Sequence, residues 1–312
     1  MNYDTKFKRK LIDKLTEKGL SQSSINLYLR NLEKLNGDQP LKSLSFLTNV
    51  ETILDKLDGY KENTKRLYLI SICSVLNVEG KAKLYDKYFK LMINKNKELK
   101  AKESNNEKSQ QQSENWIEWD KIIEKHKELY DKVLEFINNK KLNEKQYNEL
   151  LKLVVLSLYT IIPPRRNSDY QNMHIIKNNI VDDKTKNYLV YNDKIFIFNQ
   201  YKTQKKFGTQ EEDIPENLMT IINYYLKFHP KINGKINNKT NEPFLVYYDG
   251  KPFSLVNSIT RILNSIFDKN LGSSLIRHIY LSNKYQDVVE EQKKDAKAMA
   301  HSVSMQQDYV KK

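Results

Sequence analysis

Residue types that together can break a phosphodiester bond stand in order near the end of this chain of 312 residues. Arg277 and His278 close the stretch Gly272-Ser273-Ser274-Leu275-Ile276-Arg277-His278, Ala300-His301-Ser302 follows, and then comes Tyr309. A phenolic oxygen is a nucleophile that can hold a phosphoryl group covalently without a metal. Fixed cations around the non-bridging oxygens stabilise the negative charge that builds there in the transition state. Arg suits that task because its planar fork grips two oxygens, whereas Lys supplies only a point charge. Of 53 Lys and Arg, only seven are Arg: Arg9, Arg30, Arg66, Arg165, Arg166, Arg261 and Arg277. Asn, Lys, Ile and Tyr are abundant and Gly is scarce, the signature of an AT-rich coding background, so a retained Arg is informative.

Two further stretches could serve the same chemistry. In Pro163-Pro164-Arg165-Arg166-Asn167-Ser168-Asp169 the prolines stop an apolar helix (150–162) and fix the turn, so the arginines project from a rigid corner. A surface Arg pair after a turn is the plainer reading. Tyr201-Lys202-Thr203-Gln204-Lys205-Lys206-Phe207-Gly208 is a basic hairpin. In a chain this rich in lysine, simple phosphate contact is its plainer reading.

Taken in order, these elements resemble the active-site half of the tyrosine recombinases, the phage-integrase family of DNA strand-exchange enzymes. Within that family they look most like integrases of large DNA viruses, virophages and related mobile elements. The resemblance runs by motif over residues 116–312, and over 1–100 only by helical character and position. It implies a first catalytic Arg at a corner shortly before an acidic residue: Arg166 with Asp169 fits best, and Arg165 becomes its DNA-facing neighbour. It implies a hairpin lysine that protonates the leaving 5′ oxygen; Lys202 is the better match and Lys205 the second. Arg277-His278 matches the second catalytic Arg, but Ser274 stands where the family commonly has His. A hydroxyl can donate to a phosphate oxygen, yet it is no base near neutral pH. Ala300-His301-Ser302 matches a Gly-His-Ser turn with Ala for Gly, and Gln307-Asp308-Tyr309 matches Gln-x-Tyr. The His-to-Tyr interval of eight residues is one shorter than in many members.

The catalytic set expected from the resemblance is therefore Arg166, Lys202, Arg277, His301 and Tyr309. Ser274, Arg165, Lys205 and His278 are expected as further phosphate contacts. The implied reaction passes through a 3′-phosphotyrosine with a free 5′-OH, conserves the bond energy, and calls for no metal or other cofactor. The implied partner is double-stranded DNA, held by a tetramer of two dimers, with a monomer or weak oligomer when free. Only Val310, Lys311 and Lys312 follow Tyr309, so the family's C-terminal docking helix is expected to be missing or very short.

The elements that must position these residues read as mainly α with a small antiparallel β-sheet. A helical domain is expected over 1–100, the family's core-binding clamp, and a catalytic α+β domain over 116–312. Residues 101–115 hold no apolar side chain larger than Ala101 and read as a linker. Gly19-Leu20-Ser21 reads as a turn and cap before a helix with Ile25, Tyr28, Leu32 and Leu35 on one face. Further helices are expected from about 63 to 77, 81 to 102, 116 to 138 and 144 to 161. The Asn192-Asp193 turn between two β-rich runs predicts a hairpin, with a third strand ending at Ile214-Pro215. Helices then follow at about 216–228, 254–268, 272–284 and 287–300.

The formal net charge of +14 favours a polyanionic partner. No apolar run approaches the ~18–20 residues of a membrane span. The first residues carry no apolar signal core, and the lone Cys73 excludes an internal disulfide and reads as a buried thiol. An intracellular protein is expected; the resemblance adds the virion, or the host cytoplasm or nucleus where viral DNA is processed. No phosphate-binding Gly loop, no His-Glu-x-x-His and no two-metal acidic cluster appears. Three rival readings stand beside the recombinase: a type IB topoisomerase, a DNA-binding protein with a decayed site, and a basic membrane-associated protein.

Overall fold

Apolar residues recur at helical spacing through most of the chain, and the structure is mainly helical with one small sheet. It is a computed structural model that describes residues 5–103, 108–179, 183–253, 255 and 257–309. The expectations for the first four residues and for Val310, Lys311 and Lys312 lie outside the described residues. The chain divides into two compact units, residues 1–107 and 108–312. Among the described residues no helix is long and apolar enough to cross a membrane.

The first unit packs α1 (Lys6–Glu17), α2 (Gln22–Leu35), α3 (Val50–Leu57), α4 (Glu62–Val78) and α5 (Ala82–Glu103) around Leu15, Leu32, Ile72 and Tyr88. Ser21 caps α2 by accepting from the Ser24 amide, as a Ser before an apolar-periodic run should. Cys73 is buried in α4, and burial pushes its thiol up to about 11. Such a thiol is inert near neutral pH.

The second unit opens on α6 (Gln110–Asn115), α7 (Trp119–Leu134) and α8 (Glu144–Thr160). Part of the stretch expected to be a linker is therefore ordered. Ser109 and Gln112 form a reciprocal capping box, and the Asn115 side chain accepts from the Asn270 amide at 2.8 Å. The polar composition that signals a linker also suits a short, capped surface helix. Helix α8 is apolar almost all round, with Leu150, Leu153, Val154, Leu156 and Leu158 fully buried, so it runs through the core.

Next come α9 (Asn167–Gln171) and the strands β1 (Met173–Ile176), β2 (Asn187–Val190), β3 (Ile195–Phe198), β4 (Gln210–Asp213) and β5 (Glu242–Pro243), in spatial order β4-β3-β2-β1-β5. A short helix, α10 (Gln204–Phe207), lies between β3 and β4. The β2–β3 hairpin turns where expected, with Lys194 at φ 51°. The sheet is not purely antiparallel, because β1 pairs parallel to β2. That strand follows α9 after a single residue, without a turn signal, so local pattern could not mark it.

Helices α11 (Glu216–Phe228), α12 (Ser258–Phe267), α13 (Ser273–Ala298) and α14 (Val303–Tyr309) complete the unit. The two helices expected at 272–284 and 287–300 are one, α13, 26 residues long. No Gly or Pro interrupts it, and side-chain bonds from Lys284 to Tyr280 and from Gln286 to Glu290 bridge its middle.

Candidate active site

The two prolines end α8 as expected, and the backbone of Arg166 is extended (φ −76°, ψ 150°) as the cap of α9. Asn167, next to it, ties three elements together. Its side chain accepts from Tyr159 Oη of α8 at 2.6 Å and donates to Thr260 Oγ1 of α12 at 2.8 Å. Its amide meets Ser273 Oγ, the first residue of α13, at 3.4 Å. The start of α9, carrying Arg166, is thus fastened to the start of α13, carrying Ser274 and Arg277. Arg166 and Arg277 are both half-buried, and neither side chain has a hydrogen bond or ion pair among the described residues. A half-buried guanidinium group without a counter-ion favours the approach of an anion. Ser274 and His278 are exposed in the first turns of the same helix.

Arg165 has another task. Asp169, which was expected to go with Arg166, is instead bonded by Arg165 Nε at 3.2 Å. The Arg165 guanidinium also donates to Gln210 Oε1 at 3.0 Å, approaches Glu212 at 3.8 Å, and lies 3.7 Å over the Phe198 ring. A fork engaged on this many sides is a brace within the protein, not a free phosphate ligand.

A separate network holds the base of the Lys202 loop. Buried Asn187 donates to the carbonyls of Asp169 and Gln200, and its oxygen accepts from the amides of Asn199 and Gln200 at 2.8 and 2.7 Å. Thr209 Oγ1 donates to Asn199 Oδ1 at 2.9 Å and closes the loop base. Lys202 follows directly and is exposed, and Lys205 is exposed in α10. Asn167 and Asn187 were not singled out in the sequence. Asn167 had a signal in its place between Arg166 and Asp169; Asn187 had none.

The other half of the expected set forms a second module. Helix α13 ends with paired bonds from the Ala300 amide to Lys297 O and from the His301 amide to Ala296 O, the pattern of a Schellman stop. That motif needs a left-handed residue after the cap, and Ala300 sits there at φ 54°. Gly adopts this conformation at less cost than Ala. Ser302 Oγ accepts from the Met305 amide and starts α14. The helix then brings the Tyr309 ring to 5.6 Å from that of His301. Tyr309 is 66% exposed. His301 Nε2 and Gln306 Oε1 are shielded from solvent and have no hydrogen-bond partner among the described residues.

The structure keeps the two modules apart. From Arg277 to Ala298 the unbroken α13 rises by about 30 Å. Arg166, Ser274 and Arg277 gather at its start, with the Lys202 loop fastened to α9, while His301 and Tyr309 gather at its far end. Comparison with family models, with characterised proteins and with solved structures finds no match for this chain.

Proposed function

We propose that this chain is a tyrosine recombinase that cleaves and rejoins double-stranded DNA. One observation carries the reading: two half-buried arginines without a partner among the described residues stand on hydrogen-bonded helix starts, and the same unit pairs an exposed tyrosine with a histidine. Arg166 and Arg277 hold the scissile phosphate, and Ser274 adds a hydroxyl donor. Tyr309 Oη attacks phosphorus and forms a 3′-phosphotyrosine while His301 donates to a non-bridging oxygen. Lys202 gives a proton to the departing 5′ oxygen. Attack of a 5′-OH on the phosphotyrosine reverses the step, so no nucleotide cofactor enters. The first helical unit acts as a DNA-binding clamp, and strand exchange takes place in a tetramer. Processing of viral or mobile-element DNA, in the virion or the infected cell, is the setting proposed.

The separation of Tyr309 from Arg277 also suits a DNA-binding protein whose catalysis has lapsed, with Ser274 as the first loss. One experiment divides the two readings. Nicked duplexes tiling the DNA that flanks the coding sequence are incubated with the protein, and the covalent protein–DNA adduct is resolved after denaturation. The recombinase forms an adduct that Tyr309→Phe abolishes and that Arg166→Ala or Arg277→Ala lowers on the order of 100-fold or more. An adduct that survives Tyr309→Phe removes the nucleophile assignment. Binding without any adduct establishes the lapsed enzyme.

A further inference from the structure

We propose that the cleavage site is completed between two copies of this chain. Arg166, Ser274 and Arg277 of one copy hold the phosphate, and His301 and Tyr309 of a second copy supply the nucleophile. The inference rests on the reading of Tyr309 as nucleophile.

Distance comes first. The rise of α13 separates the arginines from the His301–Tyr309 module by about 30 Å, far beyond the reach of a phenol side chain. Sharp helix kinks arise at Pro, at Gly and Ser pairs or at bulges. Between Arg277 and Ala298 there is no Pro or Gly and only one Ser, Ser282, and bonded pairs bridge the middle of the helix. A straight α13 cannot return its own Tyr309 to its own Arg277.

Next comes the helix surface. Ile279 is the last residue of α13 in the core cluster of this unit, and Tyr280 makes an edge contact with Trp119. Beyond them only Ala296 is buried. Leu281, Tyr285, Val288 and Val289 are exposed at spacings of four, seven and eight residues, which sets them along one face. Met299 and Met305 extend the exposed apolar surface to the Tyr309 module. A surface helix normally turns such a stripe onto a core, and here the rest of the unit does not meet it. Two shielded polar atoms of the module, His301 Nε2 and Gln306 Oε1, have no hydrogen-bond partner among the described residues and are open to one from outside.

A second copy fits both needs. It carries the arginine pair that the tyrosine lacks and a domain surface on which the stripe can lie. Exchange of an identical element between protomers closes with two-fold symmetry and uses both tyrosines. In each site the phenolic proton passes to solvent, the Oη–P bond forms, the P–O5′ bond breaks, and Lys202 protonates the 5′ oxygen. The 3′-phosphate ends on the copy that did not bind it.

Complementation tests this with the full chain and the same nicked flanking duplexes. Tyr309→Phe keeps the arginines and has no nucleophile; Arg277→Ala, lengthened by a tag, keeps the nucleophile. Neither alone is expected to form adduct above background. An equal mixture is expected to form about a quarter of the wild-type amount, the fraction of exchanged sites that receive both intact halves. All of it should lie on the tagged chain. Arg166→Ala in place of Arg277→Ala repeats the test should one variant fold poorly. Wild-type adduct with none from either mixture means that one copy holds the whole site, and the inference falls alone. No adduct from wild type means that the nucleophile reading fails and takes the inference with it.

Discussion

The rings of His301 and Tyr309 lie 5.6 Å apart and are tilted by 34°, although the residues belong to opposite ends of the turn and helix that follow α13. Their meeting is local work. A Schellman stop at Ala300 and a Ser302 cap fold the last ten described residues back on the helix end. The module is built before any phosphate arrives, and its position is set by the helix that carries it.

Ala300 makes that turn at a cost. A non-Gly residue in the left-handed region is disfavoured by about 1–2 kcal/mol, and Gly gives back part of that through backbone entropy. Ala300→Gly is therefore expected to stabilise the turn by roughly 1 kcal/mol, slowing amide exchange at residues 299–306 about fivefold. Exchange that is unchanged or faster would show that the turn carries no strain.

The two adjacent arginines are expected to fail differently. Arg165→Ala leaves the nearly buried Asp169 carboxylate without its cation, which costs about 3 kcal/mol in urea unfolding. Arg166→Ala removes a side chain with no partner among the described residues, and is expected to change stability by under about 0.5 kcal/mol. A reversed order of the two losses would contradict the brace.

Free guanidinium groups should take up an anion. Millimolar inorganic phosphate is expected to raise the thermal midpoint of wild type by about 2 °C or more, as binding to the folded state requires. Arg166→Ala and Arg277→Ala should each lose most of that shift. Equal shifts in wild type and variants would place the anion elsewhere.

His229 sets a pH limit on the second unit. Burial pushes its pKa down to about 4; Nε2 lies 3.0 Å from the Pro243 carbonyl, and Nδ1 accepts from the Lys231 amide. The folded state favours the neutral ring, so this stability is complete above the unfolded value of about 6.5. It is lost as pH falls from there through the folded value near 4, to a total of about 3 kcal/mol. Urea midpoints measured from pH 7 to 4 should show the decline, and His229→Gln should flatten it. A variant as steep as wild type would assign the decline to other groups.

Much of this was legible along the chain because it is made by near neighbours. The two prolines stop α8 within a few residues, Ser21 caps its own helix, and Lys194 turns its own hairpin. The Ala300-His301-Ser302 turn likewise uses bonds within five residues. The parallel pairing of β1 with β2 left no such mark, since its hydrogen bonds join residues 14 apart across a connection without periodicity. Nor did the division of labour between Arg165 and Arg166, which hangs on Gln210, 45 residues away.

By themselves, the residues determined which groups could do the chemistry: arginines with a planar fork, a phenol, an imidazole and a basic loop. Only the tertiary structure decided which of them share a place. The Asn167 amide meets Ser273 across 106 residues and gathers the arginines, while the unbroken α13 carries the tyrosine away from them. Both outcomes depend on packing between distant segments and on whether helical hydrogen bonds continue through 284–287. Local propensity leaves that choice close to balanced, so the surrounding structure makes it.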